Sequence, residues 1–391
     1  MKKITLDRNA VSQITYLSSS FLFFNLLALV VKPSPYRRLL FLPLLLMSPY
    51  LLSLSTGYPT MDYCIATAWF TYLFAASDFI LLTDVQRELR IMKPSQRADE
   101  PIEHASLRRR IAWALKLFTS TTGVGWEHQP RYPLRPSPSI PRRIFVRDQL
   151  LQALLTGATF EGVNYYFHTR HPSLYAGGPS LTSFGWLWRY QTIWAWSVPL
   201  AASSICVQSL SAAYSVGTGA SGPEDWPPFM GSFALAWSVR NFWGRTWHQS
   251  MRRFLSAHGK FVAHKMLRLQ PGTKASAYAQ LYVAFLVSGT MHYLPEYMAL
   301  RHWGGGALWF FLLQAVAITV EECAQGVGRW LGITGGWKCK LVGYFWVWSW
   351  FAFCLPIWQD PLLHTGVFEE VRYSVIAIMR ERRAMNVSAQ Y

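Results

Sequence analysis

The sequence predicts an all-α fold, a polytopic bundle of membrane-spanning helices, and three observations predict it. Only 15% of the residues are charged while 51% are hydrophobic and 16% aromatic, against about 25% charged in soluble domains. The apolar residues are gathered into continuous blocks, each near the ~20 residues that a spanning helix needs. Within those blocks apolar and polar positions do not alternate, as they would in a membrane β-barrel. The blocks number about eight, or roughly six to ten when interrupted ones are counted either way.

The first block, Ala10–Val31, holds the cluster Phe21-Leu22-Phe23-Phe24. It is too long and its end too basic (Lys32, Arg37, Arg38) for a secretory signal, so it reads as a retained anchor. The second, Leu39–Leu54, is softened by Pro43 and Pro49, and the third is Tyr63–Leu82. Phe145–Phe167 is interrupted by Arg147, Asp148 and Glu161, whereas Trp186–Leu210 is clear. Ala277–Met298, Ala307–Val327 and Leu341–Ile357 complete the set. Trp186, Trp188, Trp303, Trp337 and Trp358 lie at block ends, where indole rings favour the headgroup region.

The formal charge of +17 belongs to the connections. Residues 83–143 carry Arg87, Arg108, Arg109, Arg110, Arg131 and Arg135 among others, and 211–276 carry Arg240, Arg245, Arg252, Arg253, Lys260 and Lys265. The positive-inside bias places both on the cytosolic side, facing anionic lipid. No groove-reading or base-stacking module accompanies the charge, which excludes nucleic acid as the partner. An amphipathic stretch at Ile111–Phe118 is expected to lie along the membrane interface. Cytosolic basic loops imply a lumenal N-terminus; eight spans then put the C-terminus in the lumen too. Arg372, Arg380, Arg382 and Arg383 oppose that, so one span is miscounted. A lumenal tail would make Asn386-Val387-Ser388 a usable glycosylation sequon.

The five cysteines show neither zinc-ligand nor redox spacing, and no metal is expected. Asp78, Glu161, Glu321 and Glu322 lie in or near spans; they mark an ion pathway or, more commonly, pair with a nearby arginine.

Two constellations can carry chemistry. In Ala284–Glu296, AFLVSGTMHYLPE, His292 sits inside an apolar span. An intramembrane histidine faces a bundle interior or cavity, and burial favours the neutral ring that a general base needs. Ser288, four residues earlier, shares its face, which would suit an activated nucleophile; no G-x-S-x-G elbow accompanies the pair. In Ala236–Arg253, AWSVRNFWGRTWHQSMRR, the spacing predicts a helix with Asn241, Arg245 and His248 on one face and Trp243 and Trp247 on another. Such a helix is an interfacial anchor, or a polar strip holding a phosphate-bearing or carbonyl-bearing ligand.

The string Asn241-Phe242-Trp243-Gly244-Arg245-Thr246-Trp247-His248, then Phe285-Leu286-Val287-Ser288-Gly289-Thr290-Met291-His292, resembles the wax synthase group of the membrane-bound O-acyltransferase superfamily. Pro228-Phe229 and Gly123-Val124-Gly125-Trp126 are similar to further family motifs. Asn241 stands where many relatives have Asp, Thr246 where many have Arg, and Thr122 where the glycine motif has a leading Arg.

The resemblance implies a helical bundle enclosing a catalytic tunnel, on endoplasmic reticulum membranes, that moves an acyl group from acyl-CoA to a hydroxyl. It also implies fungal relatives that acetylate terpenoids and meroterpenoids, making acetyl-CoA the expected co-substrate, with no tightly bound cofactor. Residues 1–82 would be N-terminal spans, 83–143 a cytosolic loop, 144–360 the acyltransferase core and 361–391 a tail. His292 would be the base, with His248 and Asn241 stabilising the oxyanion or holding the thioester. Arg240, Arg245, Arg252 and Arg253 would meet CoA phosphates, while Trp243, Trp247 and Ser288 line the substrate site. The alternatives are a long-chain wax-ester synthase and, from another class, a polytopic transporter, for which no paired interrupted helices or internal symmetry are visible.

Overall fold

The computed structural model describes residues 6–92, 101–120, 123–129, 140–170, 173, 175–333 and 335–367. Arg131, Arg135, the 368–391 portion of the expected tail and its sequon lie outside the described residues. Twelve α-helices run in chain order among the described residues: α1 Arg8–Val30, α2 Phe41–Ser53, α3 Pro59–Ser77, α4 Val85–Glu88, α5 Leu107–Thr119, α6 Arg142–Arg170, α7 Gly185–Thr218, α8 Val239–Asn241, α9 Arg252–Lys260, α10 Lys274–Leu300, α11 Ala307–Trp330 and α12 Trp337–His364. No strand occurs among them, only an isolated bridge between Ile91 and Trp126.

Among the described residues, five helical segments are long and apolar enough to cross a membrane: α1, α3 with its continuation to Leu82, α7, α11 and α12. The other three expected blocks are helical without meeting both conditions. At 13 residues, α2 spans about 20 Å against the ~30 Å hydrocarbon core. Helix α6 is long but carries Arg142, Arg143, Arg147, Asp148 and Glu161, and α10 is long but has no stretch as apolar as those in the five.

The chain divides into two compact units, 1–131 with 249–325 and 132–248 with 326–391. In the first, Asp7 caps α1 by accepting from the amides of Asn9 and Ala10 at 2.9 and 3.1 Å. Trp69 of α3 packs on Phe21 of α1 with centroids 4.2 Å apart. Its indole N–H donates to Ser48 of α2 at 2.9 Å, so this buried polar group is satisfied within the core. Helix α10 lays the fully buried Met291 and Met298 against this cluster. It starts at a Thr273 cap and ends at Arg301, whose φ of +62° turns the chain out of the helix. Arg301 then reaches the buried Asp62 at 3.1 Å and the carbonyls of Leu52 and Leu54. Helix α5 has the expected amphipathic form: Trp113, Ala114 and Leu117 are buried, while Leu107, Ile111 and Leu115 are exposed.

In the second unit α6 lies along α7, with Arg142 donating to the Val216 carbonyl and Gln152 accepting from Ser209 at 3.2 Å. Helix α12 joins α7 through Tyr190–Ser349 at 2.7 Å and Trp194–Trp348 at 4.9 Å. Helix α7 runs past the expected Leu210 to Thr218, where Gly219 at φ +88° ends it.

Candidate active site

The segment 238–248 belongs to the second unit. Ser238 caps α8, its hydroxyl accepting from the Asn241 amide at 3.0 Å. The chain then tightens into a π turn over Phe242–Thr246, closed by the Trp247 amide donating to the Phe242 carbonyl at 2.7 Å. Trp247 is extended (φ −68°, ψ 154°), so the helix stops there. This corrects the expected continuous helix: Asn241, Arg245 and His248 do not share an α-helical face, because His248 lies beyond the turn. The five-residue register instead stacks Trp247 on Phe242, centroids 5.6 Å apart and 25° between planes. Trp243 meets Trp247 edge-on at 6.1 Å, and Phe351 of α12 backs Phe242 at 4.7 Å.

Asn241 is buried and Thr246 fully so. The Thr246 hydroxyl donates to the Ser232 carbonyl at 3.2 Å and its own carbonyl accepts from Gly231 at 2.8 Å. A short side chain suits this closed spot. Arg240 and Arg245 are exposed. His248 stacks on Phe229 (5.2 Å, 24°) and tilts against Trp247 at 5.4 Å. Burial pushes its imidazole down to about 4, so the ring is neutral near pH 7.

His292, Ser288, Arg252 and Arg253 belong to the first unit. His292 is half-buried on α10 and stacks on Phe311 of α11, centroids 4.8 Å apart and planes 6° apart. Gly289 explains how the two helices meet. A Cβ there would stand 3.1 Å from Leu308 Cα, a tight contact that glycine avoids, so Gly289 eases this approach of α11, which sets Phe311 over His292. Ser288 is buried one turn before His292. Glu296, fully buried, accepts from the Ala307 amide at 3.1 Å, a carboxylate placed at the positive end of α11.

On α9, Arg253 forms a buried ion pair with Asp78, Nε to Oδ2 at 3.1 Å, in the π turn Asp78–Leu82 that ends α3. Its guanidinium also donates to Thr83 at 3.3 Å and lies 5.4 Å over Phe79. Asp78 therefore takes the arginine-paired role rather than marking an ion pathway. Arg252, exposed, donates to Gln249 at 3.1 Å.

Both arginines line a cavity of about 490 Å³ contained in this unit. Sequence reasoning missed its other basic members: Lys260, His264, Lys265 and His128. For the α9 residues the signal was present, since they recur at helical spacing from Arg252. His128 is delivered by Gly123-Val124-Gly125-Trp126, where the two glycines adopt φ +70° and +77°. Trp126 is fully buried, 5.6 Å from Trp113 and 5.8 Å from His128. Burial and the Arg253 charge push the His128 ring down to about 4. Among the described residues no three His, Cys, Asp or Glu side chains gather as a metal site.

A family model described as the membrane bound O-acyl transferase family matches residues 226–313, which hold both motifs. Acetyltransferase ple2 of Rhodocybe pseudopiperita is 38% identical over 340 residues, covering 85% of this chain and 86% of its own. Acetyltransferase eriL of Hericium erinaceus is 35% identical over 355 residues, 87% of this chain and 88% of its own. Acetyltransferase sirH of Emericella nidulans is 30% identical over 259 residues, 63% and 59% of the respective chains. No solved structure matches the chain.

Proposed function

Because the chain belongs to the membrane-bound O-acyltransferase family, we propose that it acetylates a hydroxyl of a hydrophobic acceptor, a terpenoid or meroterpenoid, using acetyl-CoA. The observation that carries this reading is the 38% identity to an acetyltransferase along 85% of the chain. Direct transfer needs few groups. Neutral His292 accepts the hydroxyl proton as the alcohol oxygen bonds to the thioester carbon. His248 and Asn241 donate to the oxygen that becomes negative, a neutral imidazole still having one N–H to give. The tetrahedral intermediate collapses, the carbon–sulfur bond breaks, and the CoA thiolate takes the proton from His292. Trp243 and Trp247 offer apolar surface to the acceptor, while Arg240, Arg245 and Arg252 attract the anionic donor.

In this reading α2, α6 and α10 are membrane-embedded like the five longer segments, about eight in all, in endoplasmic reticulum membranes, with 144–360 as the acyltransferase core. Microsomes given radiolabelled acetyl-CoA or palmitoyl-CoA with hydroxylated diterpenes or fatty alcohols test the proposal. Acetyl ester from the terpenoid supports it. Palmitoyl ester of the fatty alcohol alone would make the protein a wax-ester synthase. Substrate flux in proteoliposomes without any ester would make it a transporter. His292→Ala should abolish turnover at unchanged expression.

A further inference from the structure

The cavity in the first unit has a basic wall with a regular origin. Gln249, Arg252, Ser256, Lys260 and Lys265 line it at intervals of three to five residues, so α9 and the π turn after it present one continuous face. Three cationic side chains, Arg252, Lys260 and Lys265, stand on that face, and Glu88 is the carboxylate among the residues lining the cavity. Arg253 is anchored to Asp78 at the back of the wall. Arg252, Lys260 and Lys265 are exposed, and the stretch from first to last covers about 20 Å at 1.5 Å per residue. A single phosphate needs only one such cluster. Cations spread over that length suit a ligand with phosphate groups at separate positions.

The segment 123–129 supplies a neutral hydrogen-bonding group to the same cavity. His128 lines the cavity, and its Nδ1 is buried with no hydrogen-bond partner among the described residues. The lack of a Cβ on Gly123 leaves room for the ring, whose Nε2 lies 2.9 Å from where that atom would stand. Neutral imidazole complements ribose hydroxyls or a base edge better than it does a phosphate. The volume, about 490 Å³, falls within the usual range of small-molecule pockets.

We propose that this cavity holds the nucleotide end of the acyl donor, with Arg252, Lys260 and Lys265 meeting its separated phosphates and His128 its sugar or base. The proposal rests on the acyl-CoA reading above and adds the donor-specificity residues His128, Lys260 and Lys265.

The test measures binding of adenosine 3′,5′-bisphosphate to the full-length protein in detergent, beside acetyl-CoA kinetics. The bisphosphate should bind the wild type and compete with acetyl-CoA. Lys260→Gln/Lys265→Gln and His128→Leu should each weaken binding about tenfold and raise KM for acetyl-CoA similarly, with kcat changed less than about threefold. Dephospho-CoA should bind about tenfold more weakly than CoA. Melting temperatures of the variants establish that they fold; both lysines are exposed, so that variant keeps the test open if His128→Leu does not fold.

Unchanged affinity in folded variants, with acetyl-CoA turnover intact, overturns the cavity assignment and leaves the acyltransferase reading standing. Weakened binding with no acyl-CoA consumed by the wild type overturns the donor assignment instead. Displacement of the bisphosphate by phosphatidic acid vesicles but not by CoA would identify a lipid headgroup site and overturn the proposal.

Discussion

The Asp78–Arg253 ion pair permits the sharpest quantitative test. Asp78 is fully buried and the Arg253 side chain is 21% exposed, with 3.1 Å between Nε and Oδ2. At that distance the attraction is about 5 kcal/mol for an effective dielectric constant of 20, and desolvation of both groups offsets much of it. Removing one partner is therefore worse than removing both. Arg253→Gln strands the deeper charge and should cost about 4–5 kcal/mol; Asp78→Asn leaves the partly exposed guanidinium and should cost about 3. The double substitution should cost less than either single change, under about 3 kcal/mol, giving a coupling of at least ~4 kcal/mol. Thermal inactivation and tryptophan fluorescence of the purified protein in detergent give the ranking Arg253→Gln below Asp78→Asn below the double variant. If the single losses instead sum in the double variant, the pair is not holding α9 to the end of α3, and the account of Arg253 as an anchored group fails.

Other consequences follow from the same geometry. His248 and His128 titrate near 4 in the folded chain, against the ordinary 6.5, so the unfolded chain binds more protons between those values. Stability should be level above about pH 6.5 and fall as the pH drops toward 4, and His248→Gln should flatten that fall in a midpoint-versus-pH series. Any loss of kcat between pH 8 and 6 should persist unchanged in its midpoint when His128 is replaced by Gln, since that ring stays neutral there. Gly123→Ala and Gly125→Ala both place a side chain at positive φ, costing about 1–2 kcal/mol each. Only the former meets the His128 ring, at 2.9 Å, so only it should raise KM for acetyl-CoA. Gly289→Ala drives a Cβ to 3.1 Å from Leu308 Cα; kcat should fall about tenfold with expression retained, as Phe311 shifts on His292.

The helices were legible because continuous apolar blocks leave few alternatives, and every expected block is helical. The span count was not, because hydropathy blocks do not report helix length: the 3₁₀ turn Pro35–Leu40 takes the start of the second block and leaves α2 with 13 residues. His292 with Ser288 was legible, since α10 keeps its 3.6-residue period through Pro295. The neighbourhood of His248 was not. A π turn inserts one residue per turn and is invisible to a helical wheel, so the polar strip drawn through Asn241, Arg245 and His248 dissolves. His128 was also illegible, because its partners on α9 come from a distant part of the chain. The adjacent Gly-Val-Gly-Trp string reads as a motif, but a motif does not say where the positive φ of its glycines sends the next side chains.

Two glycines that a motif reading treats as spacers turn out to set rings in place. Gly289 lets Leu308 approach, and three residues on from each, His292 and Phe311 meet face to face. Gly123 leaves room for the His128 ring, while its positive φ turns the chain so that Trp126 is buried beneath. In both cases the chemistry-bearing imidazole packs against an aromatic ring, His292 on Phe311 and His128 on Trp126. A neutral ring needs that kind of support, because a nearby carboxylate would favour the protonated form and remove its capacity to accept a proton. Such an arrangement predicts that substitutions at these glycines impair function before they impair folding, the reverse of what a buried ion pair such as Asp78–Arg253 should show. Comparing Gly289→Ala with Asp78→Asn, activity per folded molecule beside melting temperature, decides it: equal specific activity in the two would mean that Gly289 matters only for packing.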